Sequence, residues 1–157
     1  MNIVGIDPGK TGGIVVLDPS GKCLEAIPMP MAGDDIDTNT VLMLLHSQPE
    51  GTRAVVERVG AMPGNGGVSM FRFGFGTGKL HGIIEAAGIP LDVVSPVTWQ
   101  KAGPGKTGGD KGITAAWAAR SFPGAPIVQP RCRKPHEGIC DALGIAWWGW
   151  MQYRAGK

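Results

Sequence analysis

Three acidic residues stand among apolar neighbours, where an uncompensated carboxylate is costly. Asp7 ends the run NIVGID, Glu57 lies within AVVERV, and Asp141 begins DALGIAWW. A carboxylate in such a place needs a hydrogen-bond donor, a basic partner or a metal ion. A structural ion pair is the usual explanation for one such acid, but three of them favour a shared function.

The function that suits these acids is the binding of a hard divalent cation. Mg²⁺ prefers oxygen ligands and keeps several waters, so a few carboxylates and a substrate phosphate complete its coordination. Two such ions can activate an attacking water and stabilise the leaving oxygen of a phosphate ester. We therefore expect Asp7, Glu57 and Asp141 to form a site for a hard cation such as Mg²⁺.

Two further candidates precede Asp141 in the last predicted helix. Glu137 lies four residues before Asp141, so both share one helix face. His136 is adjacent and can turn toward the same site, although a His beside Pro is most often a surface residue. The helix N-terminus favours carboxylates and also a bound phosphate.

A basic segment between residues 101 and 134 indicates a polyanionic partner. It holds seven Lys or Arg residues and one acid, a net charge of +6 in a chain of net charge +2. The alternative is a solvated basic loop beside a charged helix face. The basic residues are Lys101, Lys106, Lys111, Arg120, Arg131, Arg133 and Lys134.

The pattern of apolar runs predicts an α/β fold with a central five-stranded mixed sheet. Turns at residues 8–9 and 19–21 join the first three strands into an antiparallel meander. Residues 53–59 are apolar except at Glu57, which is typical of a central parallel strand. The predicted strands cover residues 2–7, 13–18, 23–28, 53–59 and 91–95.

Helices are predicted between and after the later strands, with right-handed crossovers. Glycines recur four apart in one of them, at Gly74, Gly78 and Gly82, and would allow another helix or the sheet to approach closely. The predicted helices cover residues 38–47 (capped by Thr38 or Asn39), 69–87, 110–121 and 136–153. Predicted loops cover residues 60–68 and, as a mobile stretch, 101–109.

The length of 157 residues suits one domain, residues 1–157. The three cysteines form no CxxC pair or zinc pattern, which favours free thiols in a reduced cytoplasmic setting. No signal peptide is expected, and no apolar run reaches the roughly 18 residues that a membrane span needs.

Five segments, in order along nearly the whole chain, resemble the motifs of RuvC-type Holliday-junction resolvases of the RNase H-like superfamily. The resemblance implies an RNase H-like fold, a homodimer, Mg²⁺ or Mn²⁺, and paired nicks in four-way DNA junctions that leave 5′-phosphate and 3′-hydroxyl ends. It also implies that Asp7, Glu57 and Asp141 are catalytic metal ligands. The segments are IVGIDPGKTGGIVVLD (3–18), AVVERV (54–59), FGFGTGKLHGIIEAAGIPLDVVSPVTWQK (73–101), GDKGITAAW (109–117) and HEGICDALGIA (136–146).

The chain departs from this family at two places. Many cellular members have a second ligand three residues before the last Asp, where this chain has Gly138; Glu137 is the preferred substitute as catalytic metal ligand, with His136 second. The HEG sequence there resembles the HDG of phage-type relatives. Gly60 replaces an expected aromatic residue. Phe71 or Phe73 is the candidate wedge against DNA bases, although a core position facing the sheet is favoured for both.

The resemblance also implies DNA-contacting basic residues. Lys79, Lys101, Lys106 and Lys111 match or neighbour basic positions of the family, and Arg133 lies in the basic segment. Such residues neutralise phosphates and set register. Lys111 is also a candidate for approaching the scissile phosphate. The glycines of residues 103–109 would let this loop become ordered on DNA; the alternative is a solvated connector. Trp99, just after the end of the last predicted strand, is expected to be structural.

Two-fold symmetry suits a nuclease that cuts two opposed strands, and the glycine face of helix 69–87 is the candidate interface.

Other functions remain open. The fold also hosts nucleases for RNA or other branched DNA. A non-catalytic junction-binding protein is a second alternative. A sugar kinase or ATPase fragment is disfavoured, because the chain is short and lacks GxxxxGK[ST].

Overall fold

A five-stranded mixed sheet forms the centre of the chain, as predicted. The computed structural model describes residues 1–60 and 66–154. The strands are β1 (Ile3–Asp7), β2 (Gly13–Leu17), β3 (Cys23–Pro28), β4 (Met31–Ala32), β5 (Asp35–Ile36), β6 (Arg53–Glu57) and β7 (Leu91–Val94). Strand order in the central sheet is β3-β2-β1-β6-β7; the first two pairs are antiparallel and the last two are parallel.

Helices cover both faces of this sheet, so the side chains of β1, β2 and β6 are buried on both sides. Along β1, Ile3 packs on one face while Val4 and Ile6 pack on the other, which follows the two-residue period of a strand. The helices are α1 (Thr38–His46), α2 (Gly67–Ala86), α3 (Pro96–Ala102), α4 (Lys111–Ser121) and α5 (Glu137–Arg154). The face of the sheet that carries Ile3 packs against α3, α4 and α5, and the opposite face packs against α1 and α2.

Helix α5 lies unusually close to β1 and to the turn that follows it. A Cβ added at Gly5 would come within 2.4 Å of the Ala146 nitrogen, and one added at Gly138 within 2.3 Å of the Thr11 oxygen. Only glycine allows such an approach of two backbones. These two contacts fix the start of α5 over the end of β1.

Two predicted features of helices are corrected. Asp37, rather than Thr38 or Asn39, caps α1, because its side chain accepts from the backbone N–H groups of Asn39 and Thr40. The glycine face of α2 approaches nothing within the described residues: a Cβ at Gly74, Gly78 or Gly82 would meet no atom within 4 Å.

Sequence analysis missed the short helix α3 and the β4–β5 hairpin. The stretch predicted as a mobile loop from Lys101 therefore begins inside α3. The rest of it is folded by hydrogen bonds, since the Gly105 N–H donates to the Gln100 oxygen (2.7 Å) and the Asp110 N–H to the Thr107 oxygen (3.0 Å). Helix α2 begins within the predicted loop 60–68, of which residues 61–65 lie outside the described part.

The cysteines and the helices agree with two compositional expectations. Cys23, Cys132 and Cys140 are free, as predicted. Across residues 1–60 and 66–154, every helix is too short or too polar to cross a bilayer.

Candidate functional site

Two of the predicted acids lie at the carboxyl ends of adjacent strands. β1 and β6 are parallel neighbours, with Ile6 opposite Val56, so Asp7 and Glu57 follow at the same edge of the sheet. Both strands are buried up to these residues because their side chains are apolar on each face. The acids are thus held where the two core layers end.

Asp141 reaches the same edge from the first turns of α5. The close approach at Gly5 places the backbone of Ala142 directly against β1. Asp141 itself is only 7% exposed. Three acids that are distant along the chain are therefore neighbours in the fold.

Burial and mutual repulsion make these carboxylates hard to ionise. Burial, with the nearby Glu57 and Asp141 carboxylates, raises the pKa of Asp7 from 3.8 to about 7, although the Gly9 N–H and Lys111 oppose the shift. Burial also raises the pKa of Glu57 and of Asp141. The shifts show that the three acids act on one another as a cluster.

Lys111 is the cation that faces this cluster. Its Nζ donates to Oδ2 of Asp141 at 2.5 Å. Burial acts to lower the pKa of Lys111, but Asp141, Asp7 and Glu137 outweigh it and the net shift is upward. Asp110 caps the start of α4 and so fixes where this lysine emerges.

The oxygen donors of this cluster suit a hard cation, although Asp141 is bonded to Lys111 in this structure. Three carboxylates supply the oxygen ligands that Mg²⁺ prefers, and their raised pKa values show that Lys111 does not offset their burial and mutual repulsion. Within the described parts of the chain, no three His, Cys, Asp or Glu side chains are grouped tightly enough to hold one ion. Asp141 would have to exchange the Lys111 ammonium for the cation.

Glu137 and His136 stand at the start of α5, near Asp141. Glu137 is exposed, and its charge raises the pKa of Asp141 and of Lys111. His136 is half-buried, and its Nδ1 accepts from the Ile139 N–H at 3.3 Å. His136 therefore caps α5, and this contact commits Nδ1 to the helix.

Trp99 is a partner of the site that sequence analysis took as merely structural. Its Nε1 donates to Oε1 of Glu57 at 2.7 Å, and the hydrogen bond acts against the rise in the Glu57 pKa. The missed helix α3 carries it. Ser95 followed by Pro96 is a helix-start pattern that would have revealed that helix.

The other predicted DNA-contacting basic residues lie outside the acid cluster. Lys101, Lys106 and Arg133 are exposed. Lys79 is half-buried on α2, where it pairs with Asp35 at 3.4 Å and lies 4.7 Å from the Phe75 ring centre.

The two candidate wedge residues border a groove of about 930 Å³ between α2 and the β4–β5 hairpin. Phe71 is 72% exposed and stacks on Phe75, so the core position favoured for it is wrong. Phe73 is half-buried and lies near Gly9, in the turn after Asp7. Pro8 also lines the groove, which therefore begins beside the acids.

Comparison with solved structures defines the fold as RNase H-like, of the RuvC type, which confirms the predicted fold and resemblance at that level. Thermus thermophilus RuvC in complex with a Holliday junction substrate is 20% identical over 99% of this chain and 96% of that chain, with a TM-score of 0.74. A second Thermus thermophilus RuvC structure is 22% identical over 99% and 97% of the two chains, with a TM-score of 0.65. No protein-family model and no curated protein matches this chain.

Proposed function

We propose that this chain is a metal-dependent endonuclease that resolves four-way DNA junctions. The observation that carries the proposal is the convergence of Asp7, Glu57 and Asp141, from three separate elements, on one buried and mutually repelling cluster. The RuvC-type fold around that cluster supports DNA as the substrate, because one neighbour in that fold was solved with a Holliday junction.

In this proposal Asp7, Glu57, Asp141 and the exposed Glu137 hold Mg²⁺, or Mn²⁺ in its place. Cations held there would supply an activated water for attack on phosphorus and would offset the charge on the leaving 3′-oxygen. Lys111, released from Asp141, becomes a donor to the substrate phosphate.

Exposed basic residues would guide the junction arms to the acids. Lys101, Lys106 and Arg133 neutralise phosphates without reading sequence, and Lys79 does so beside the groove. Phe71 is the preferred wedge against junction bases, because its ring is already exposed, with Phe73 second.

We also propose that residues 1–157 act as one nuclease domain, in the cytoplasm and as a homodimer. Three free thiols suit a reducing compartment. The open glycine face of α2 suits a two-fold contact, which would present two acid clusters to two opposed DNA strands.

A cleavage competition tests the proposal. Wild-type protein with Mg²⁺ is expected to cut a synthetic four-way junction in preference to a flap, a linear duplex and an RNA–DNA hybrid. Asp7→Asn should remove cleavage and keep junction binding, because it removes a metal ligand and leaves the basic surface intact. Preference for the flap or the hybrid would assign a related nuclease activity instead.

A non-catalytic junction-binding protein is the second candidate. The observation in its favour is the Lys111–Asp141 ion pair, which occupies one of the proposed ligands. It predicts tight junction binding and intact DNA at every Mg²⁺ or Mn²⁺ concentration in the same assay.

A further inference from the structure

The indole of Trp99 is the donor that orients Glu57. Its Nε1 lies 2.7 Å from Glu57 Oε1, and the side chain is 1% exposed. We infer that Trp99 is a positioning residue that holds the Glu57 carboxylate ready for a divalent cation. The inference rests on the proposed function, since it assigns a role toward the same metal site.

The register of the sheet explains how the indole reaches this carboxylate. Val94, the last residue of β7, pairs with Glu57. Ser95 then caps α3, accepting from the Thr98 N–H. Helix α3 thus starts beside the acid, and its first turn carries Trp99 back toward it.

The indole ring is also fixed from its other side. A Cβ at Gly144 would lie 2.5 Å from Cζ3 of the ring, so the ring packs directly against the backbone of α5. Gly144 follows Asp141 by three residues on that helix. Trp99 therefore links the strand that carries Glu57 to the helix that carries Asp141.

A single N–H donor suits this role. An indole has one donor and no acceptor, so it engages one carboxylate oxygen and leaves the other available to a cation. A phenylalanine at position 99 would remove the donor together with part of the ring packing, so a second Trp→Phe change at the same helix contact is needed to match the lost volume. With that control, the positioning role and a purely structural role predict different results for the substitution at position 99.

Calorimetric titration with Mn²⁺, without DNA, separates these roles. Trp99→Phe is expected to weaken Mn²⁺ binding roughly 10-fold, the usual size of an effect on a ligand's hydrogen-bond partner. Trp147→Phe is the matched control. It removes an indole donor that binds the Ala102 oxygen at the same contact of α3 with α5, and it should leave Mn²⁺ affinity unchanged.

A nuclear magnetic resonance measurement on the wild-type chain keeps the inference testable if Trp99→Phe folds poorly. Addition of Mg²⁺ should shift the indole N–H resonance of Trp99 and leave that of Trp150, which donates to the Pro19 oxygen, in place. An unmoved Trp99 resonance in Mg²⁺-bound protein, or wild-type affinity in a folded Trp99→Phe, would overturn the inference alone. A wild-type chain that binds neither ion would overturn the proposed nuclease as well.

Discussion

The acids and their lysine form a cluster that is suited to function more than to stability. Three carboxylates are buried together at a cost that shows in the raised pKa of each. Lys111 offsets part of that cost through its bond to Asp141. A ligand that binds only the native state would stabilise such a site, and the proposed divalent cation would do so here.

The raised pKa of Asp7 predicts how stability changes with pH in metal-free protein. The folded-state value, about 7, lies above the unfolded value of 3.8, so protonation favours the folded state. The stability that protonated Asp7 contributes is fully present below pH 3.8 and is lost as pH rises through about 7. Thermal unfolding in a chelator should therefore show a higher Tm at pH 6 than at pH 8.

Asp7→Asn is the control for this pH dependence. The amide cannot ionise, so the variant should be more stable than wild type at pH 8, by on the order of 2–4 kcal/mol. Its Tm should change less between pH 6 and pH 8. A variant less stable than wild type at pH 8 would mean that the Asp7 carboxylate contributes to folding rather than opposing it.

Residue types and neighbours were sufficient to predict the acids of the cluster. Asp7, Glu57 and Asp141 each interrupt an apolar run, and that pattern is visible in sequence. Their partners were not predictable in the same way. Lys111 meets Asp141 across 30 residues, and Trp99 meets Glu57 across 42, so both contacts depend on how helices pack.

At the element scale, the position of α5 depends on glycine at its contact with the β1–β2 turn. We predict that Gly138→Ala destabilises the chain by about 2 kcal/mol, because its Cβ would meet the Thr11 oxygen at 2.3 Å. Displacement of α5 should also move Asp141 and reduce Mn²⁺ affinity. Denaturant unfolding and metal calorimetry measure the two effects.

The matched control is Gly67→Ala in the first turn of α2. Both substitutions place alanine inside a helix, which by itself stabilises by up to roughly 1 kcal/mol. A Cβ at Gly67 would meet no described atom within 4 Å, so this variant should gain stability and bind metal normally. Equal effects of the two variants would show that the close approach at Gly138 is not limiting.

Element types were more predictable than their ends and contacts. Long apolar patterns predicted the five strands of the central sheet and four of the five helices described. Helix α3 was missed because its seven residues run into a Gly- and Lys-rich stretch that suggests a loop. Close packing was predicted at the repeated glycines of α2, whereas the structure has close contacts at single glycines, among them Gly5, Gly138 and Gly144.

At the scale of the molecule, two exposed lysines, Lys101 and Lys106, lie at and just after the end of α3, the helix that starts beside Glu57. We predict that Lys101→Ala with Lys106→Ala weakens junction binding and reduces the magnitude of its log–log salt slope by about 2, one unit per lost phosphate contact. Lys22→Ala is the control, because Lys22 lies beyond β2, at the end of the sheet opposite Asp7. Binding isotherms at several salt concentrations measure the slopes, and an unchanged slope in the double variant would place the DNA elsewhere.

The open glycine face of α2 is the predicted interface of a two-fold dimer. Gly74, Gly78 and Gly82 follow helical spacing along it, and no described atom lies within 4 Å of a Cβ built at any of the three. If this face joins two copies, Gly78→Glu should yield a folded monomer, because a Cβ at this position meets no described atom within 4 Å. Sedimentation of wild type as a dimer and of the variant as a monomer is the expected result. The monomer should nick junctions on one strand at a time, since paired cuts need two acid clusters on one junction; a wild-type monomer at high concentration would contradict the assembly.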